Sequence, residues 1–167
     1  DSQAKSAVRE KKITKAQELI ATSRIAKAQA RVQAARPYSI EITSMLTELA
    51  SASALDHPLL VQRENPKRAG VLVVSSDRGL CGAYNANVLR AAVEHLDRQQ
   101  AEGLATDVHM VGKKGVSFFR FLRRPMAEQT VTIGDKPRFE EVEPIANGLM
   151  DRFKHGEISS VHVAYMR

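Results

Sequence analysis

Hydrophobic residues along this chain follow one period over its first third and another over the rest. From about Ser2 to Ala54 there is no glycine and a single proline, Pro37, in a stretch dense in Ala, Lys, Arg, Gln, Glu and Leu. Such residues lose little rotamer freedom in a helix, so the stretch predicts continuous α-helix. At 1.5 Å of rise per residue it would reach roughly 75 Å, about twice the width of a small domain. Ile13, Ala16, Ile20, Ser23, Lys27, Ala30 and Ala34 recur at three-four spacing, a narrow stripe suited to close packing against one other helix. Beyond Pro37 the stripe becomes larger and more apolar, with Ile42, Met45, Leu46, Leu49, Ala50 and Ser53, and is expected to lie on a folded domain. Pro37 removes a backbone donor and crowds the preceding turn, so a kink or break is expected near Arg36.

Residues 56–69, with Pro58 and Pro66, read as a connector between this helix (residues 1–55) and a domain over residues 70–167. Val71 to Val74 is a short, continuous apolar run, as in a strand buried on both faces. Helix is expected from Asn85 to about Gln99, strand from Asp107 to Val111, and helix from Lys113 to about Leu122. A strand over Thr130 to Ile133, a helix from Glu140 to about Lys154 and a strand over Val161 to Tyr165 complete the pattern. Alternating strand and helix implies right-handed crossovers and a mostly parallel, doubly wound sheet, which makes the fold class α/β.

Charge sharpens this division. The net charge is +6. Residues 1–36 hold nine Lys/Arg against three Asp/Glu, and the remainder holds sixteen of each sign, so the basicity belongs to the first segment alone. A basic helix on a neutral globule is expected to meet something acidic, whether protein, nucleic acid or lipid headgroup. No run of eighteen apolar residues exists to span a bilayer, and no secretory signal pattern is present, which favours a cytosolic compartment. Cys81 is the single cysteine, so neither an internal disulfide nor a Cys-pair zinc site can form. The chain opens on Asp1 rather than Met, so part of the natural N-terminus is expected to precede it.

Candidate chemistry concentrates in Ser75-Ser76-Asp77-Arg78-Gly79-Leu80-Cys81-Gly82-Ala83-Tyr84-Asn85, a glycine turn between the first strand and its helix. That is where α/β folds bind phosphates, because backbone N–H groups at a helix start face an anion. A nucleotide-binding α/β enzyme using Gly79 to Asn85 is therefore one reading. Against it, the loop lacks the Lys-Ser/Thr pair of a P-loop, its glycines do not fit G-x-G-x-x-G, and no acidic residue closes the second strand. A nucleophilic Cys81 is a second reading, since a helix N-terminus lowers a thiol pKa, but the spacing of the five histidines puts no base beside it. Cys81 reads more simply as a small buried residue where backbones pack closely. His109 and His162, inside strand patterns, read as packed or hydrogen-bonded, and no metal-ligand spacing occurs. A nucleic-acid reading of the basic helix would pair its basic stretch with a dimerising heptad, whereas here the later stripe lies before an α/β domain.

The loop Ser76-Asp77-Arg78-Gly79-Leu80-Cys81-Gly82-Ala83-Tyr84-Asn85 is similar to the SDRGLCGG-x-N segment of ATP synthase gamma subunits. Lys12-Ile13-Thr14-Lys15-Ala16, Ala21-Thr22-Ser23-Arg24, Lys27-Ala28-Gln29 and Ala35-Arg36-Pro37-Tyr38 resemble that family's other hallmark. Both motifs fall in the family's order and separation. The wording from Thr14 to Ile25, with Ala83 in place of a common glycine, looks like the actinobacterial branch. The resemblance implies that the first helix is half of an antiparallel coiled coil, followed by a Rossmann-like domain. The C-terminal helix that would complete the coil has no counterpart after Arg167. It further implies a non-catalytic rotor subunit without a cofactor, peripheral on the cytoplasmic face of the bacterial plasma membrane. Its partners would be the alpha, beta and epsilon subunits and the membrane ring of c subunits, with no nucleic acid. On that reading Lys11, Lys12, Lys15, Arg24, Lys27 and Arg31 would face acidic loops of the catalytic ring. Ile13, Ala16 and Ile20 would face the second helix. Asp77, Arg78, Gly79, Cys81, Gly82 and Asn85 would form a structural or interfacial loop that binds no nucleotide.

Overall fold

The computed structural model describes residues 2–51, 57–61, 66–134 and 136–166, with side chains from Ser6 onward. The chain divides into two compact units, Asp1–Leu55 and Asp56–Arg167.

The first unit is a single helix, α1, Ser2–Ser51. It runs unbroken through Pro37, contrary to the expected interruption near Arg36. The ring fixes φ close to the helical value, so proline removes only the hydrogen bond to the Gln33 carbonyl, and on an exposed helix water can serve that oxygen. Thr14, Thr22, Thr43 and Thr47 turn their hydroxyls back onto the carbonyl four residues earlier, at 2.7–2.9 Å. Every described side chain of α1 is exposed, including the wider stripe of Ile42, Met45, Leu46 and Leu49. The expected end at Ala54, Ser53 of the stripe, and Asp56 and residues 62–65 of the connector lie outside the described residues.

The second unit contains strands β1 (Arg68–Val74), β2 (Ala105–Val111), β3 (Glu128–Thr130) and β4 (Ser160–Ala164), and helices α2 (Tyr84–Ala101), α3 (Lys113–Phe121) and α4 (Phe139–Lys154). The strands form one sheet in the order β3-β2-β1-β4, every pairing parallel. Expectation and structure agree on the α/β class and on each helix and strand. The third strand is the exception in extent: it was expected over Thr130 to Ile133 and ends at Thr130. Its position is set from β2, where His109 pairs with Glu128 and Val111 with Thr130.

The core lies between the sheet and the α2/α3 layer. Val71 and Val73 of β1 and Val108 and Met110 of β2 meet Val88, Leu89, Ala92 and Leu96 of α2 and Val116 and Phe119 of α3. The opposite face is only half covered. There Leu149 of α4 and Ile158 pack over Gly70, whose missing side chain makes room: a Cβ would lie 3.0 Å from Ile158 Cδ1. Leu72 and Val74 are half-exposed, so the expectation that β1 is buried on both faces holds only at its start. Leu72, Met150, Phe153, Val161 and Val163 instead line an open groove of about 400 Å³.

Phe119 is wholly buried. Phe119→Ala should destabilise the domain by about 3–5 kcal/mol, measured by urea unfolding of the whole chain.

Candidate functional site

Two parts of the molecule carry the residues singled out from the sequence: the surface of α1, and the loop that leaves β1.

A helix turns about 100° per residue, which fixes how the α1 residues are distributed around it. Ile13, Ala16 and Ile20 share one side, as expected for a packing seam. Arg24 and Arg31 return to within about 20° of Ile13, and Lys27 lies close by, whereas Lys11 and Lys15 fall on the far side and Lys12 between. The six cations therefore do not form one face. The apolar residues are distributed in the same way: Ile25, Val32 and Ile40 lie about 100–180° from Ile13 and are 56%, 62% and 60% exposed. Apolar and basic side chains thus occur all round the rod, not along a single stripe.

The loop is built on a close approach of two backbones. Ser75 N–H donates to the Val111 carbonyl at 2.8 Å, and Ser75 Oγ donates to the same carbonyl at 2.7 Å. The same hydroxyl accepts Gly115 N–H at 2.9 Å, which ties the first turn of α3 to the end of β1. Gly112 has φ +95°, and a Cβ there would lie 2.2 Å from the Ser75 carbonyl oxygen. At Gly115 a Cβ would meet Met110 Sδ at 2.3 Å. Neither position can carry a side chain without moving main chain or core.

Downstream the polar groups hold one another. Asp77 Oδ1 accepts Lys113 N–H at 2.9 Å, satisfying a free donor at the start of α3. Asn85 Oδ1 accepts Ser76 N–H at 3.0 Å, and its Nδ2 donates to Ser76 Oγ at 2.8 Å and to Cys81 Sγ at 3.2 Å. Tyr84 OH donates to the Val74 carbonyl at 2.8 Å, and burial, with Cys81 adding to it, raises its pKa. Gly82 has φ +57°, where glycine is favoured. Gly79 has neither a positive φ nor any atom within 4 Å of a built Cβ. Arg78 lines a cleft with Lys113, Lys136 and Arg138 beside Asp77 and Glu141. Cys81 is exposed, contrary to the expected burial, because the turn around it leaves open space at the flanking Gly82; its partners are Asn85, Ser76 Oγ at 3.8 Å and the Arg78 carbonyl at 3.9 Å, with no base among them. The arrangement brings Asp77, Cys81, Gly82 and Asn85 together as a folded turn and assembles no nucleophile-base pair.

Charged side chains elsewhere in the domain are also engaged within it. Asp107 lies between Arg68 and Arg152, and Arg152 reaches on to Glu157 at 3.1 Å. Burial pushes the Asp107 carboxyl up, but the guanidiniums of Arg152 and Arg68 outweigh it and hold it below the usual range. His109 is buried, with Nε2 2.8 Å from Thr130 Oγ1 and Nδ1 3.1 Å from Glu128. Burial lowers its pKa, with Glu128 opposing. His162 meets Ser160 Oγ at 3.0 Å, so both strand histidines are bonded as expected. The Asp107 cluster was missed in the sequence because its members are dispersed from Arg68 to Glu157: the β1–β2 pairing brings Arg68 to Asp107, and the packing of α4 on the sheet brings Arg152. Among the described residues no group of three potential ligands could hold a metal, and no helix is long and apolar enough to cross a membrane.

A long exposed helix joined to a parallel Rossmann-like sheet, with a loop closed on itself, defines the class of chain. A family model described as ATP synthase matches residues 1–167. The ATP synthase gamma chain of Mycolicibacterium vanbaalenii is 64% identical over 146 residues, covering 87% of this chain and 47% of the relative. That of Mycolicibacterium smegmatis is 62% identical, covering 87% and 48%. That of Mycobacterium leprae is 53% identical over 150 residues, covering 90% and 50%. The chain belongs to the ATP synthase gamma chain family, in its actinobacterial branch, and spans about half the length of the curated relatives it matches.

Gly112→Ala should cost more than about 3 kcal/mol, since it forces main chain apart at a positive φ, whereas Gly79→Ala should stay within about 0.5 kcal/mol; urea unfolding of both variants checks the contrast. Asp107 binds its proton more weakly folded than unfolded. Its contribution to stability is therefore present above the unfolded value of about 3.9 and is lost as pH falls through the lower folded value. Asp107→Asn should remove that part of the acid limb in a pH series of melting temperatures.

Proposed function

We propose that this chain is part of the central rotor shaft of an F-type ATP synthase. In this reading α1 and a second, antiparallel helix turn inside a ring of alternating alpha and beta subunits, coupling proton flow through the c ring to ATP synthesis or hydrolysis. The α/β domain sits beneath that ring and contacts epsilon and the c subunits, on the cytoplasmic face of the plasma membrane. The chain makes and breaks no bonds. Its off-axis shape would give each beta subunit a different contact, and so a different nucleotide affinity, at each angle.

The carrying observation is the distribution of side chains around α1. A helix resting on one globular surface needs one apolar face, and a coiled-coil strand needs one narrow seam. Exposed isoleucines and valines on opposite sides, with cations between them, suit a rod enclosed by neighbours. Shallow apolar contacts give no deep pocket that would trap one angle, and basic residues attract acidic loops from any direction. The loop from Gly79 to Asn85 fits a structural role, since its polar groups hold one another.

Charge reversal of Lys11, Lys12, Arg24 and Arg31 together to Glu, in the full-length chain within the assembled complex, tests this. ATP-driven proton pumping should fall about tenfold or more while the subunits still co-purify; pumping at the unmodified rate would overturn the reading.

A further inference from the structure

His95 of α2 and His162 of β4 take no part in the reading above. Their ring centroids lie 4.5 Å apart with the planes tilted by 48°. Both line a cleft of about 710 Å³ between α2 and the edge strand, together with Val71, Asn87, Ala91 and Tyr165. The two rings are bonded differently. His162 Nε2 meets Ser160 Oγ, whereas His95 Nε2 is buried without a hydrogen-bond partner.

An unpaired nitrogen is tolerable in one protonation state more than in the other. A neutral imidazole keeps one nitrogen as an acceptor, and leaving that acceptor unmatched costs about 1–3 kcal/mol. A protonated ring must place N–H donors at both nitrogens, and the donor at the enclosed Nε2 would have no acceptor. The neighbours add to this. From β4 the facing group is His162; from α2, Arg98 repels a proton on His95 and Glu102 partly offsets it; from β1, Val71 offers only apolar surface. Burial first, then His162 and Arg98, hold His95 below the usual imidazole range.

We propose that this histidine pair is a proton-sensitive joint between α2 and β4, seating β4 against α2 when His95 is neutral and loosening it when His95 takes up a proton. The joint bears on β4 in particular, because among the described residues β4 is held by its pairing with β1 and by this contact with α2. The sign follows from linkage: His95 binds protons more weakly folded than unfolded. The stability it supports is complete above the unfolded value of about 6.5 and is lost as pH falls below it.

His109 also titrates in the domain, at the β2–β3 side, so the readout must be local to β4. Amide hydrogen exchange of Val161 and Val163, taken as a ratio to the buried Val116 and Phe119 of α3, which carries no histidine, supplies one and cancels the intrinsic pH dependence of exchange. Between pH 7.5 and pH 5.5 protection of β4 relative to α3 should fall, by at most about tenfold. His95→Phe and His162→Phe keep the ring and remove the charge, and each should reduce that fall to less than about twofold. A flat ratio in the unmodified chain, or an undiminished fall in His95→Phe, overturns the proposal. Should either variant fail to fold, NMR titration of the His95 ring protons in the unmodified chain decides instead. A midpoint below about 6.5 supports the joint, and one at or above it overturns the joint.

Discussion

Where β1 and β2 end, the main chains approach so closely that there is no room for a Cβ at Gly112, and the side chains of Met110 and Ser75 leave none at Gly115. The Ser75 hydroxyl occupies the gap, donating to the Val111 carbonyl and accepting Gly115 N–H. Three consequences follow from this one approach. The Gly115 bond brings α3 down beside β1, which places Phe119 and Val116 in the core. Gly112 N–H is left pointing outward and donates to the Thr130 carbonyl at 2.9 Å, so the short strand β3 is held where β2 ends. The chain leaving Ser75 turns away at Ser76 and Asp77, whose contacts with Asn85 and Lys113 join the starts of α2 and α3. The glycine loop that resembles a phosphate cradle is thus the seam of a crossover.

Much of this order was legible in the sequence because it rests on local pattern. Val71 to Val74, Asn85 to Gln99 and Lys113 to Leu122 each show one period strongly, and their elements form close to those bounds. Departures occur where a long-range contact decides. Val131 and Ile133 have strand propensity, but β3 is at the sheet edge and its register from His109 to Val111 is used up at Thr130. Pro37 carries a local rule against helix, yet the rule costs one hydrogen bond in fifty residues of otherwise favourable helix. Half-burial of Leu72 could not be read from β1 itself, since it depends on how much of the second face α4 covers. In the loop, Asp77 and Asn85 could be recognised by their motif, but Ser75 could not, because its partners Val111 and Gly115 lie across a crossover. Gly79 is the converse case: it belongs to the motif, and the fold places no steric demand on it.

Charge is used differently in the two units. In the α/β domain the ions close internal contacts: Arg68 and Arg152 on Asp107, Arg124 on Asp97 at 2.6 Å, and His109 on Glu128. Asp107 shows that such contacts are energetically real, since its carboxyl is held down against the opposing effect of burial. On α1 the Lys and Arg residues outnumber the acids threefold over residues 1–36, and all of its described side chains face solvent. Local helix propensity can sustain such a rod, but the apolar surface of Ile13, Ile20, Ile25 and Val32 gains nothing from water.

That difference bears on why one chain should combine two such units. A domain that pairs most of its charged groups internally and seals its crossover loop can hold its shape while its surroundings change, which is what the proposed role in transmitting torque would require. A helix with unburied apolar residues on opposite sides has the reverse character, because its free energy depends on what encloses it. If the enclosure is asymmetric, that free energy varies with angle, and the variation is a torque. In the proposed shaft, shallow side chains such as Ala16, Ala30 and Ala34 would limit how deep any one minimum becomes, while Lys and Arg on several sides would keep the attraction present at every angle. On that reading the repeated alanines and the scattered cations of α1 would act together, holding the rod strongly enough to be turned and weakly enough to be released.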